Sequence, residues 1–378
     1  MSWLSAEEAL GRLGTKPQTL YANVSRGRIR AKPDPADPRR SLYHTADVTR
    51  LAERHAGRRK SEAVAAEAIQ WGDPVLPSAV STIADGRLYY RGRDAAALST
   101  SASLETVSSL LWDMPAVTLS ADGGSGGTPA IQDAFAALAA RVTRDLPSLG
   151  RSKAVLRNEA ISVFATVSRA LAPGRGDFVH QQLADAWEKP EAAEYLRRAM
   201  VLLADHELNA STFAARVAAS SGAALSASVL SGLSALTGPL HGGAWQGVAG
   251  LADLARSVGA EQAVRRTLSQ GHALPAFGHP LYPDGDIRAT ELFSHFEMPA
   301  VFEELRRAGE AMSGERANVD FALTAMTASF GLPQDAPMVI FALARTCGWL
   351  AHAMEQVEGG HLIRPRARYC GPPLAVIG

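Results

Sequence analysis

From Leu104 onward, apolar residues recur mainly at spacings of three and four, and after Gly92 period-two runs are few. That pattern predicts an all-α body. Along the stretch ending in HELNASTF, the stripe Leu196, Met200, Leu203 continues by steps of three and four to His206, Ala210 and Phe213, which predicts a helix with the His206 imidazole pointing inward. In PMVIFALARTCGWLAHAM the inward stripe reads Met338, Phe341, Arg345, Trp349, His352. A guanidinium on an apolar face is costly unless an anion meets it, from the protein or from a ligand. No repeat of solenoid length is apparent.

The first sixty residues break this pattern. Ser5 reads as the N-cap of a helix carrying Ala9, Leu10 and Leu13 that Gly14 closes, and Lys16-Pro17 opens a second helix, PQTLYANVSRG. Two short helices joined so tightly are a helix-turn-helix signature. A wing (Arg28 to Tyr43) and a closing helix follow, and the whole is similar to the MerR/excisionase type of winged helix. Ala56 to Trp71 reads as a linker becoming helix.

Charge separates the same two parts. The chain of 378 residues has formal net charge zero, but residues 1–60 hold 13 Lys and Arg against 6 Asp and Glu, leaving the remainder equally acidic. A basic head on an acidic body points to an anionic partner at the head, with Gln18, Thr19, Tyr21, Arg26 and Arg28 placed to meet DNA. The longest apolar stretches fall short of membrane-spanning length, Trp3 to Gly14 is no signal peptide, and Cys347 and Cys370 build no disulfide framework. The expectation is a cytoplasmic protein with no membrane partner.

Two glycine- and proline-shaped segments carry the chemistry: GPLHGG (Gly238 to Gly243) and FGHPLYPDGDIR (Phe277 to Arg288), followed by NVD (Asn318 to Asp320). They offer two histidines, a carboxylate and an arginine, the parts needed to take a proton from carbon beside a carbonyl and hold the resulting charge. There is no cysteine nucleophile, phosphate loop or metal-ligand cluster; His206-Glu207 does not start a zinc HExxH motif, because Ala210 occupies the second ligand position. Each residue also has an ordinary reading: His206 as a satisfied core histidine, His241 and His279 as turn residues, Asp320 as a helix cap, Arg345 as half of an internal salt bridge and Arg364 as part of a basic tail.

HELNASTFAAR (His206 to Arg216), GPLHGGA, FGH…R, NVD, Ala344-Arg345 and RPRARY (Arg364 to Tyr369) resemble the citrate synthase family in order and spacing, and STIADGRLYYRG (Ser81 to Gly92) looks like that family's early hairpin. The resemblance covers roughly Pro77 to Gly378. It implies a two-domain helical fold working as a homodimer: residues 73–241 with 331–378 as the large domain and 242–330 as the small one, after a head (1–57) and a linker (58–72). It further implies catalytic His241, His279 and Asp320, with His206, Arg288, Arg345 and Arg364 binding the 2-oxoacid. Acyl-CoA, a co-substrate rather than a tightly bound cofactor, would lie along Leu274, Ala276 and Gly278, mainly through backbone.

The implied reaction is the citrate-forming condensation of the tricarboxylic acid cycle, from acetyl-CoA, oxaloacetate and water. The alternatives are 2-methylcitrate formation from propionyl-CoA, and, in another class, a regulator that senses citrate or acyl-CoA without turnover and binds DNA through residues 1–57. The chain departs from the family in four places: Trp245-Gln246 follows GPLHGGA where Asn is usual, Leu281 stands where Ile or Val is usual, no basic residue lies between His279 and Asp286, and Asp286-Ile287-Arg288 replaces Asp-Pro-Arg.

Overall fold

The computed structural model describes residues 3–13, 17–25, 29–34, 37, 40–49, 76–119, 126–367, 369, 371 and 372. Arg26, Arg28, Cys370 and the linker 58–72 lie outside them. The chain forms two compact units, residues 1–77 with 366–378, and residues 78–365.

In the first unit, the helices Ala6–Leu13 and Pro17–Ser25 accompany a three-stranded antiparallel sheet of β1 (Trp3–Leu4), β2 (Ala31–Pro33) and β3 (Ser41–His44), in the order β1-β3-β2. Ser5 and Glu8 form a capping box: Glu8 N donates to Ser5 Oγ (3.3 Å), and Ser5 N donates to Glu8 Oε2 (2.8 Å). Leu4, Ala9, Leu13, Leu20, Ile29, Tyr43 and Val48 make a small core. The exposed side of the second helix carries Gln18, Thr19 and Tyr21. Arg30 is occupied locally: its Nε and Nη2 reach Asp47 at 2.7 and 3.1 Å, and that guanidinium holds the Asp47 carboxyl down at about 2.

The second unit opens with a sheet of β4 (Ser81–Ala84), β5 (Arg87–Tyr90) and β6 (Arg93–Asp94), so the body is helical apart from this small meander. Asp85 and Gly86 both take positive φ, as a tight hairpin turn requires. Among the described residues no helix is long and apolar enough to cross a membrane.

Two hydrophobic cores organise the remainder. The first gathers the β4–β6 sheet, the helices Leu104–Trp112, Lys153–Leu171, Ala193–Leu203 and Leu225–Leu236, and most of the 24-residue helix Ala336–Gly359. The second is built by helices Ala244–Val258, Ala260–Ser269 and Ala300–Ser313 around Val248, Leu251, Val264, Phe302 and Leu305. Helix Val319–Phe330 belongs to both: Phe321 and Ala325 enter the second core, while Val319, Ala322, Leu323 and Met326 enter the first. Offsets of four along one face and of three and four along the other give a helix two apolar sides, and its first turn therefore stands where the cores meet.

Two sequence expectations change here. His206 is not helical. The helix stops at Leu203, Glu207 takes φ 50°, and the next helix begins at Ala210 with the Asn209 side chain accepting from Thr212 N as its cap. A local capping signal overrode the continued three- and four-residue spacing. In Ala336–Gly359 every residue from Val339 to Met354 is buried, so no single stripe faces inward; a helix apolar all round is enclosed on all sides.

Candidate active site

Three non-helical segments and two helices converge. Segment 204–209 docks on the helix Ala336–Gly359 through Gly348, whose N donates to Ala204 O (3.1 Å), and on the hairpin through Ser81 Oγ, which donates to Asp205 Oδ2 and accepts from Glu207 N (3.0 Å). Tyr90 Oη donates to Val201 O (2.9 Å). Asp205 is fully buried and ionised, its carboxyl held below the usual range by His352, whose Nε2 lies 3.1 Å from Oδ2, and by the Arg345 charge, against the opposing effect of burial. His206 is thereby fixed in the interior. Burial and the charges of Arg288 and Arg345 drive its pKa well below the ordinary value, so the ring is neutral.

His241 ends a turn in which Gly242 N donates to Leu236 O (2.9 Å), and a β-carbon on Gly242 would meet that carbonyl at 2.5 Å. Glycine is required there by packing. The His241 Nε2 lies 2.8 Å from Ser211 Oγ, which also accepts from Trp349 Nε1 (3.1 Å). Burial and then Arg345 lower His241 to about 4, leaving it neutral at pH 7. His279, in the Gly-His-Pro turn, accepts at Nδ1 from Leu281 N (3.2 Å) and is likewise lowered to about 4 by burial and Arg288. With Nδ1 accepting, the neutral ring carries its proton on Nε2.

Asp320 occupies the first turn of Val319–Phe330 but is not its cap: Asn318 Oδ1 accepts from Asp320 N (3.0 Å). Its carboxyl has no hydrogen-bond partner among the described residues, and burial raises it to about 6 even with Arg288 nearby. An Asp so shifted is a better base than an ordinary one and is still ionised at neutral pH.

Both arginines are buried and differently engaged. Arg288 Nε and Nη2 pair with Asp286 at 2.9 and 2.8 Å, and Asp286 Oδ2 also accepts from Val319 N (3.0 Å), which ties the FGH loop to the Asp320 helix. Arg345, 1% exposed, donates from Nε to Leu203 O (2.9 Å); its Nη2 is buried with no partner. It makes no salt bridge among the described residues, although its charge acts on buried Asp205. Burial lowers it to about 10, so it stays charged. A buried cation with an unsatisfied N–H is suited to an anionic ligand.

Tyr282, not singled out from the sequence, completes the group. It lies against His206, His279 and Arg288, and its Oη is 3.0 Å from His206 Nε2. Ser211 and Asp205 also escaped the sequence reading. Ser211 lies two residues after the cap Asn209, a polar signal easily taken as local, and Asp205 sits where the spacing predicted continuous helix.

The remaining expected residues fare unevenly. Arg364 is exposed, with no bond to the group among the described residues. Leu274 and Ala276 are buried. Along the expected acyl-CoA segment, Ala276 O accepts from Asn318 N (2.9 Å), Gly278 N donates to Arg316 O (2.8 Å), and Gly278 O accepts from Asn318 Nδ2 (3.0 Å). These main-chain groups already bind the NVD segment, and Ala276 takes φ 61° to allow it. A ligand contacting this strip must use what remains.

The fold and this group of neutral imidazoles, a raised carboxyl and an unsatisfied buried arginine define an acid–base site of the class that works beside an anion. Residues 134–366 match the family model described as citrate synthase, C-terminal domain. The chain belongs to the citrate synthase family. It is 36% identical over 197 residues to citrate synthase 2 of Bacillus subtilis (48% of this chain, 52% of the relative), and 33% identical over 185 residues to 2-methylcitrate synthase 1 of Corynebacterium glutamicum (46% and 49%). The chain thus spans about half the length of the curated relatives it matches. Among solved structures, citrate synthase from Thermotoga maritima superposes with TM-score 0.66 at 25% identity, covering 81% of this chain and 96% of the other. The fold is shared also with Thermoplasma acidophilum citrate synthase, solved as a ternary complex with carboxymethyl coenzyme A and oxaloacetate (TM-score 0.67, 23% identity, 81% and 96% covered).

Proposed function

We propose that this protein is an acyltransferase that condenses acetyl-CoA with oxaloacetate and water to give citrate and CoA. Asp320 takes a methyl proton from the thioester, and the thioester oxygen, becoming an enol oxygen, is held by a hydrogen bond from neutral His241. The enol carbon forms the new C–C bond to the ketone carbon, and His279 Nε2–H gives its proton to the resulting alkoxide. Water then cleaves the C–S bond, releasing the carboxylate and the CoA thiol. Arg345, Arg288, His206 and Arg364 bind the carboxylates of the 2-oxoacid, and the protein works as a homodimer.

The observation that carries this reading is the unpartnered Nη2 of buried Arg345, in a group whose three histidines are all held neutral. A thiol-release assay with acetyl-CoA and oxaloacetate tests it: release that requires both substrates supports the proposal, and none across a panel of 2-oxoacids overturns it. Propionyl-CoA as the acyl donor is the close alternative, favoured by the relatives named 2-methylcitrate synthase, and the same assay compares the two donors. We place the work in the cytoplasm, within the tricarboxylic acid cycle for the acetyl donor, with the body divided at about residues 241 and 331 into a large and a small domain.

A reading of another class rests on the first unit. Two short helices and a β2–β3 hairpin, with Gln18, Thr19 and Tyr21 exposed on the second helix, support a winged helix-turn-helix that binds DNA. A sensor of citrate or acyl-CoA that has lost turnover would bind these ligands but release no thiol.

A further inference from the structure

Tyr282 has no part in the chemistry above, yet it is buried among the residues that carry it. Its backbone position is set by two consecutive turns: Tyr282 N donates to His279 O (2.9 Å), and Tyr282 O accepts from Gly285 N (3.0 Å). The side chain is 2% exposed and belongs to neither hydrophobic core of the second unit. It packs on polar neighbours instead. The His279 ring centroid is 5.0 Å away, the Arg288 guanidinium lies 5.3 Å over the ring, and the phenol oxygen is 3.0 Å from Nε2 of His206. One side chain of the 277–288 loop therefore touches the 204–209 segment directly.

That last contact has a direction. A neutral imidazole carries one proton, on Nδ1 or Nε2, and the partner at one nitrogen selects the other. His206 Nδ1 has no partner among the described residues. If Nε2 carried the proton, Nδ1 would present a lone pair, and an anionic ligand meeting that nitrogen would be repelled. If the phenol donates to Nε2, Nδ1 carries the proton and offers a donor. Burial pushes the Tyr282 phenol up to about 12, so its proton is available at neutral pH.

We propose that Tyr282 is a positioning residue: its hydroxyl donates to His206 Nε2, holds the neutral ring as the Nδ1–H tautomer, and so keeps a donor on the side where the 2-oxoacid carboxylate binds. The assignment rests on the proposed function for the identity of the ligand but not for the tautomer itself.

The test has two readouts on the full-length protein. Two-dimensional NMR of protein labelled with ¹⁵N at histidine, with His206 assigned by loss of its signals in His206→Asn, reports the tautomer without any substrate. Nδ1–H in the unmodified protein is the expected result, and Nε2–H overturns the proposal whatever the protein catalyses. In Tyr282→Phe, which removes a single oxygen, the His206 signals should move toward a tautomer mixture. The KM for oxaloacetate should rise about tenfold, the scale of one lost hydrogen bond near an anion, with the KM for acetyl-CoA unchanged and kcat within about threefold. An unchanged tautomer and unchanged oxaloacetate KM in a folded Tyr282→Phe protein also overturn it. If that variant fails to fold, the wild-type spectrum still decides. If the protein turns over no 2-oxoacid while the tautomer is Nδ1–H, the proposed function fails and the positioning role stands.

Discussion

Gly348 and Asp205 meet so closely that no other residue fits at position 348: a β-carbon there would collide with Asp205 Oδ1 and lie 2.5 Å from Ala204 O. The notch lets segment 204–206 lie against the long helix one turn from Arg345, which places His206 and the guanidinium in one site. Gly348→Ala must push that segment off the helix. We expect a loss of about 2–4 kcal/mol in unfolding free energy, from overpacking together with disturbance of a buried ion, and a thiol-release rate reduced more than tenfold under conditions where the variant is still folded. Denaturant melts with matched assays check both. Wild-type stability would mean that the segment relaxes freely and that the notch positions nothing.

Asp320 sets the acid limb of activity. Its carboxyl is raised to about 6 and must be ionised to act as a base, so kcat/KM should fall tenfold per pH unit below about pH 6 and level off above it. His241 and His279, both near 4, remain neutral through that window and add no second step there. Asp320→Asn should lower turnover at least about 100-fold at every pH while the protein remains folded. A pH–rate profile with its break near 4 would place the base elsewhere.

Arg345→Leu removes a buried cation that donates to Leu203 O and whose Nη2 has no partner among the described residues. The variant withdraws one of the charges acting on buried Asp205, which keeps His352 at 3.1 Å and should therefore allow the protein to fold. Its KM for oxaloacetate should rise at least about 30-fold, with that for acetyl-CoA within about threefold. Steady-state kinetics on both substrates distinguish this from a general loss of structure, in which the two affinities fall together.

Trp245 is buried in the helix that starts after His241, and its indole Nε1 has no partner among the described residues. An unsatisfied buried donor is suited to meeting a ligand atom. Trp245→Asn should change the ratio of kcat/KM for acetyl-CoA over propionyl-CoA by at least about threefold. A constant ratio would make the indole ordinary packing.

The head is tested by removing it. Deletion of residues 1–57 should leave thiol release intact and abolish binding of duplex DNA at about 50 mM salt, with an affinity in the full chain that falls by roughly 0.9 log units per decade of salt for each phosphate neutralised. Arg30 should matter little to that binding, because Asp47 already holds it on two nitrogens. Gel shifts that detect no complex with genomic fragments or the protein's own upstream region would leave the head a packing or assembly module.

What the sequence determined about this protein is chiefly local. Helical periodicity foretold the helical body and, with six ordered motifs, its family. Val319–Phe330 begins and ends where the NVD motif and its apolar run place it, because its cap, Asn318, and its stop, Gly331, are neighbours in the chain. Glycine and proline around His241 and His279 marked turns for the same reason. Tertiary structure decided what no local signal holds. His206 points inward because Ser81, Gly348 and Tyr282, up to 142 residues away, seize a broken segment, and not because a helix continues through it. Whether Arg345 has a carboxylate, whether Asp320 caps its own helix, and which main-chain groups of 276–278 remain open all depend on distant partners. The protonation of the three histidines depends on burial among charges contributed by the loop bearing Asp286 and Arg288 and by the helix bearing Arg345. A pattern of residues names the groups; only their packing sets the desolvation and field that make a histidine neutral and an aspartate basic.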